Sequence, residues 1–106
     1  MAVMITNENV EQEINKSDLP VILDVYATWC GPCQQMVPVF DELEKELGDK
    51  CKFAKLNVDE ARELSIQYGV TSVPTFVFIK GSEIKHKETG YMNKEDFKTK
   101  IEEFIG

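Results

Sequence analysis

The chain has 106 residues, 42% hydrophobic and 29% charged, with 12 Lys and Arg against 19 Asp and Glu and a net charge of −7. That length suits one domain, residues 1–106, with a real core rather than two domains, and the mixture is globular rather than disordered or fibrous. The acidic balance argues against a surface built for phosphate backbones, which needs clustered Lys and Arg, so neither nucleic acid nor an anionic membrane is an expected partner.

The opening MAVMITNENV lacks a cationic start followed by an apolar run, and no apolar stretch approaches the roughly eighteen residues that span a bilayer, so a soluble protein is expected. Val3 to Ile5 reads as a short first strand. Thr6 or Asn7 is expected to cap a helix to about Lys16, with Val10 and Ile14 on one face and Asp18, Leu19 and Pro20 closing it.

Val21 to Ala27 is β-rich and apolar on both alternating faces, with Asp24 interrupting one of them, the pattern of a strand covered on both sides. Met36, Phe40, Leu43 and Leu47 then recur at helical spacing, predicting a helix from about Pro32 to Leu47 that Pro38 should bend. Phe53 to Val58 is a second buried strand. Asp59 is expected to cap a helix carrying Ala61, Leu64, Ser65 and Tyr68, with Gly69 at its stop. After Val73-Pro74, TFVFIK reads as a strand with proline just ahead of it. Gly81-Ser82 is a hairpin signal that returns Glu83 to Thr89 antiparallel, with Lys85, His86 and Lys87 protecting the sheet edge. Asn93 caps a last helix whose Phe97, Ile101, Phe104 and Ile105 face inward. The order β-α-β-α-β-α-β-β-α predicts an α/β layer fold around a mixed sheet.

The chemistry concentrates at WCGPC, residues 29 to 33, where two of only three cysteines stand at the mouth of the second helix. Gly31 would cap that helix and Pro32 begin it. Cysteines three apart at a helix start can reach disulfide distance. The loop so closed is worth roughly 1.9 kcal/mol as a staple, against about 3 for a fifteen-residue loop, so the bond is better suited to opening and closing. A thiolate beside free N–H groups at the positive end of a helix is stabilised. Cys30, ahead of the helix, is expected to be the exposed attacker, and Cys33, one turn in, the more enclosed resolving thiol. The Gly-Pro interior stabilises the thiolate less than a histidine would, which points to a reductant.

Other chemistries fit less well. A zinc set of Cys30, Cys33, Cys51 and His86 has a suitable first gap, but Ala54 occupies the fourth cysteine position and His86 lies 35 residues beyond Cys51. A cysteine hydrolase would need His86, the single histidine, beside Cys30. His86 reads instead as a solvated edge residue, and Cys51 as a partly buried filler without a catalytic role. Asp24 loses hydration inside a covered strand, which should raise its pKa. Six residues before Cys30, it would lie beneath the helix start, where it could exchange a proton with Cys33.

The sequence resembles the thioredoxin family from end to end, through Asp24, WCGPC, Pro38, AKLNVDE at 54 to 60, Tyr68-Gly69-Val70, Val73-Pro74-Thr75 and Gly90. The resemblance implies the thioredoxin fold, a central mixed sheet of about five strands with helices on both faces, and reduction of disulfides in protein substrates. It implies Cys30 as nucleophile, Cys33 as resolving thiol, Asp24 as buried proton carrier and Lys55 as its neighbouring charge. Pro74 would be cis and face the disulfide. Trp29, Gly31, Pro32, Val58, Val73, Pro74 and Gly90 would form the groove for a partner's extended chain. No bound cofactor is implied. Electrons would come from NADPH through thioredoxin reductase, to a monomer in the cytoplasm. Gln34 stands where the family often has lysine, Tyr26 replaces the usual Trp or Phe, and Thr89 and Tyr91 are unusual neighbours for Gly90. A disulfide-forming relative, or a binding subunit that uses the groove as an interface, would share the fold.

Overall fold

A computed structural model of the chain describes residues 2–106. Five β-rich stretches pair into one mixed sheet: β1 (Val3–Met4), β2 (Val21–Tyr26), β3 (Lys52–Asn57), β4 (Thr75–Lys80) and β5 (Glu83–Thr89). Their spatial order is β1-β3-β2-β4-β5, with β1, β3 and β2 parallel and β4 antiparallel to both β2 and β5. The helices are α1 (Gly31–Leu47), α2 (Arg62–Gln67) and α3 (Lys94–Ile105).

Alternation along β2 divides the core in two. Val21, Leu23 and Val25 pack with Ile5, Ile14, Leu56, Ala61 and Leu64 on one face of the sheet. Ile22 packs on the other with Met36, Phe40 and Leu43 of α1 and with Phe97 and Ile101 of α3. Phe97 is the hub of that second layer, its ring centroid 4.7 Å from Phe76, 6.2 Å from Phe40 and 6.4 Å from Phe78. Lys94 and Lys98 of α3 pair with Glu46 of α1 over this layer.

The turns follow their residues. Gly81 and Ser82 both hold positive φ, the mirror-image turn that suits a two-residue hairpin, and β5 returns as expected with a register shift at Phe78/Ile79. Asn93 caps α3 by accepting the Asp96 N–H at 2.9 Å. Gly69 takes φ +73 beyond α2, and Lys87 of β5 donates to the Tyr68 and Gly69 carbonyls at 3.1 and 3.3 Å. A lysine from another element thus satisfies carbonyls left open at a helix end.

Three helix boundaries need correction. The first helix shrinks to a π-helical turn, Glu11–Asn15, in which the Lys16 N–H reaches back five residues to Glu11. Before it, Thr6 does start the turn as expected: its hydroxyl accepts the Glu8 N–H at 3.2 Å, its carbonyl accepts the Val10 N–H at 3.1 Å, and Asn9 Oδ1 accepts the Thr6 N–H at 2.7 Å. Second, α2 starts at Arg62 with Ala61 at its cap, and Asp59 makes no cap because its side chain is engaged elsewhere. Third, α1 begins one residue earlier than expected, with Cys30 as the cap and Gly31 as the first helical residue; it continues through Pro38. Cys51 is fully buried, not partly. No helix among the described residues is long and apolar enough to cross a membrane.

Candidate active site

Chain leaving the C-terminal ends of β2 and β3 builds the site. β2 runs out through Ala27, Thr28 and Trp29 into Cys30, and the Val58 N–H after β3 bonds the Tyr26 carbonyl at 2.9 Å. Cys30 and Cys33 are joined by a disulfide with Cα atoms 5.2 Å apart. Their half-cystines form a small buried cluster with Ala27, against which Tyr26, Val58 and Val73 pack.

Cys30 has the backbone of a helix cap, and its sulfur accepts the Cys33 N–H at 3.2 Å. A helix start thus aims a donor at this sulfur, an arrangement that favours negative charge there once the disulfide is open. Gln34 braces the same turn: its N–H reaches the Cys30 carbonyl at 3.2 Å and its side-chain amide donates to the Thr28 carbonyl at 2.9 Å. Cys30 is less open than its position ahead of the helix suggests, 6% exposed against 3% for Cys33. The turn folds over both sulfurs.

The loop before β4 closes the other side. Val73-Pro74 is a cis peptide, and the Val73 carbonyl oxygen lies 3.7 Å from the Cys30 sulfur. The Gly90 N–H, at the end of β5 with φ +98, bonds the Pro74 carbonyl at 2.8 Å. Val58 and Val73 therefore pack against the disulfide, Pro74 follows Val73 and is hydrogen-bonded to Gly90, Gly31 and Pro32 lie exposed at the start of α1, and Trp29 stands 70% exposed. Trp29 Nε1 donates to Asp59 Oδ2 at 3.0 Å. Reading the sequence missed this role for Asp59; the available signal was an exposed tryptophan whose indole N–H seeks an acceptor.

Asp24 is 2% exposed in β2, on the strand face that α1 covers. Among the described residues no hydrogen-bond donor reaches its Oδ1. Burial pushes this carboxyl from an ordinary 3.8 up to about 7, and the Lys55 ammonium pulls the other way. Lys55 stands directly opposite Asp24 on β3, its amine over the rings of Tyr26 at 5.7 Å and Phe40 at 5.8 Å from the centroids.

The zinc set falls apart on geometry, since no three His, Cys, Asp or Glu side chains group for a metal among the described residues. Cys51 sits in the core beside the Leu47 carbonyl, and burial together with the Asp49 carboxylate pushes its thiol up to about 12. His86 is on the exposed edge strand, paired with Glu88. What remains is a disulfide at a helix start with Val58 and Val73 packed against it, and a buried titratable carboxyl in β2, the strand that leads into it.

Comparison with known proteins gives one family. The Thioredoxin family model matches residues 1–103. The chain is 43% identical over 91 residues to the thioredoxin of Rickettsia typhi, covering 86% of this chain and 87% of that protein. It is 41% identical over 101 residues to the thioredoxin of Chlorobaculum thiosulfatiphilum, covering 95% and 94%, and 39% identical over 101 residues to that of Alicyclobacillus acidocaldarius, covering 95% of each.

Proposed function

The chain belongs to the thioredoxin family and is a thiol-disulfide oxidoreductase with the thioredoxin fold, and from that premise we propose how the site divides its labour. Cys30 is the attacking sulfur. In the reduced protein its thiolate attacks one sulfur of a substrate disulfide; a Cys30-substrate bond forms, the substrate S–S bond breaks, and the freed substrate thiolate takes a proton. Cys33 passes its proton to the Asp24 carboxylate and attacks the Cys30 sulfur. The Cys30–Cys33 bond closes, and the second substrate sulfur leaves as a thiolate that is protonated in turn. Two electrons have moved from this protein to the substrate.

Asp24 can take that proton near neutrality because burial holds its carboxyl near 7, and Lys55 keeps the carboxyl ionisable. Trp29, Gly31, Pro32, Val58, Val73, Pro74 and Gly90 receive the extended segment that carries the substrate disulfide. The chain acts as one domain and a monomer in the cytoplasm, with no bound cofactor, and thioredoxin reductase returns it to the dithiol with electrons from NADPH.

The observation that carries this assignment is the asymmetry of the pair: the Cys33 N–H points at the Cys30 sulfur, and Cys33 lies one turn inside α1. Trapping tests it. Cys33→Ser should accumulate covalent adducts with disulfide-bearing proteins that reductant releases, whereas Cys30→Ser should not. Folded, reduced Cys33→Ser protein that forms no adducts would overturn the roles.

A further inference from the structure

Beside the disulfide lies a cavity of about 510 Å³ between Trp29 and α2, lined on its apolar side by Val58, Ile66, Val70 and Val73. The two most exposed large apolar side chains among the described residues, Trp29 at 70% and Ile66 at 62%, both line it. Single exposed apolar side chains need no explanation, but two on one concavity mark a contact surface.

Two charged side chains share this cavity, and only one is engaged. The Asp59 carboxylate is held by the Trp29 indole N–H. Arg62, the single arginine of the chain, has no ion pair or side-chain hydrogen bond among the described residues. Its backbone is nonetheless fixed, because the Ser65 hydroxyl donates to the Arg62 carbonyl at 2.6 Å and the preceding Ala61 N–H bonds the Asn57 carbonyl at 2.9 Å. A cation in the first helical turn gains nothing from the helix that it starts, since helix N-termini favour acidic residues. An unpaired guanidinium on a fixed backbone, beside exposed apolar surface, is suited to a carboxylate brought by a partner.

We propose that this cavity is a specificity pocket for protein substrates whose chain, near the reactive disulfide, carries an apolar side chain followed by Asp or Glu. The apolar group fills the space between Trp29 and Ile66, and the carboxylate pairs with Arg62. The net charge of −7 otherwise repels acidic partners, so Arg62 gives such a carboxylate a defined seat. This inference rests on the disulfide-reductase reading.

The test uses matched peptides, each with one disulfide and a neighbouring leucine, differing only in Glu, Gln or Lys placed two, three or four positions from the reactive cysteine. For the wild-type dithiol protein, kcat/KM at low salt should favour Glu over Lys by about tenfold at one spacing or more, with Gln between. Arg62→Glu should bring that ratio to one or below, Arg62→Lys should keep most of it, and molar salt should shrink it. Wild type that reduces the Gln peptides yet shows the same Glu-to-Lys ratio as Arg62→Glu at every spacing overturns the pocket and leaves the reductase reading standing. Wild type that reduces none of the peptides overturns the reductase reading and the pocket with it.

Discussion

Asp24 and Lys55 face each other across the parallel β2 and β3 strands without pairing: the lysine amine lies over two aromatic rings, and the aspartate keeps a buried oxygen with no donor among the described residues. Proximity softens the cost of burying the carboxylate but does not remove it. The protein therefore holds a group that resists ionising in the fold.

That resistance makes stability depend on pH. In the unfolded chain Asp24 ionises near 3.8, whereas in the fold it stays protonated up to about 7. Between those values only the unfolded state is stabilised by losing the proton, so stability falls as pH rises from about 4 to 7 and stays lower above. Asp24→Asn should be more stable than wild type at pH 8, by at most about 4 kcal/mol, with the advantage gone below pH 4. Urea midpoints of the oxidised proteins at the two pH values measure this, and an equal difference at both would refute it.

The same carboxyl should appear in the kinetics. If Asp24 takes the Cys33 proton, release of the mixed disulfide should quicken as pH rises through 7, and Asp24→Asn should lose that dependence and slow by roughly ten- to a hundredfold. Lys55→Met removes the charge that favours the carboxylate, so the inflection should move to higher pH. Stopped-flow single turnovers, with an NMR titration of the Asp24 carboxyl carbon, would follow both; an unmoved profile in Lys55→Met argues against coupling.

Trp29 is the only tryptophan, and its indole is tied to Asp59. Asp59→Ala should free the ring, change its fluorescence and raise KM for protein disulfides severalfold, while costing less than about 1 kcal/mol of stability because the bond is exposed. Asp59→Asn retains an acceptor oxygen and should largely restore KM. Wild-type KM in Asp59→Ala would mean that the tie does not position the ring for substrate.

Gly69 combines a left-handed backbone with close approach, since a Cβ there would come 2.7 Å from Lys87 Nζ. Gly69→Ala should strain the backbone and displace the lysine from the end of α2, costing about 1–2 kcal/mol. Lys87→Met in the same background should recover part of the loss if crowding contributes, and denaturant melts of both variants decide it.

Much of this was legible from local pattern. The alternation of Val21 to Tyr26, the four-three-four spacing of Met36, Phe40, Leu43 and Leu47, the Gly81-Ser82 turn and the Asn93 cap depend on backbone periods and side-chain reach over a few residues, which a sequence carries on its face. Cysteines three apart at a helix start could likewise be read as a reversible pair.

Thr6 starts its turn as the local pattern says, with Asn9 accepting its N–H, whereas Asp59, an equally good cap locally, turns to an indole thirty residues away. Propensity is a weak prior against such competing partners. The closing of the turn over Cys30, the rings beneath Lys55, the donorless oxygen of Asp24 and the cavity beside Arg62 arise only when separate strands and helices meet. Covalent neighbours thus determined the elements and the reactive pair, whereas packing between distant segments decided the solvation and charge that each functional group experiences.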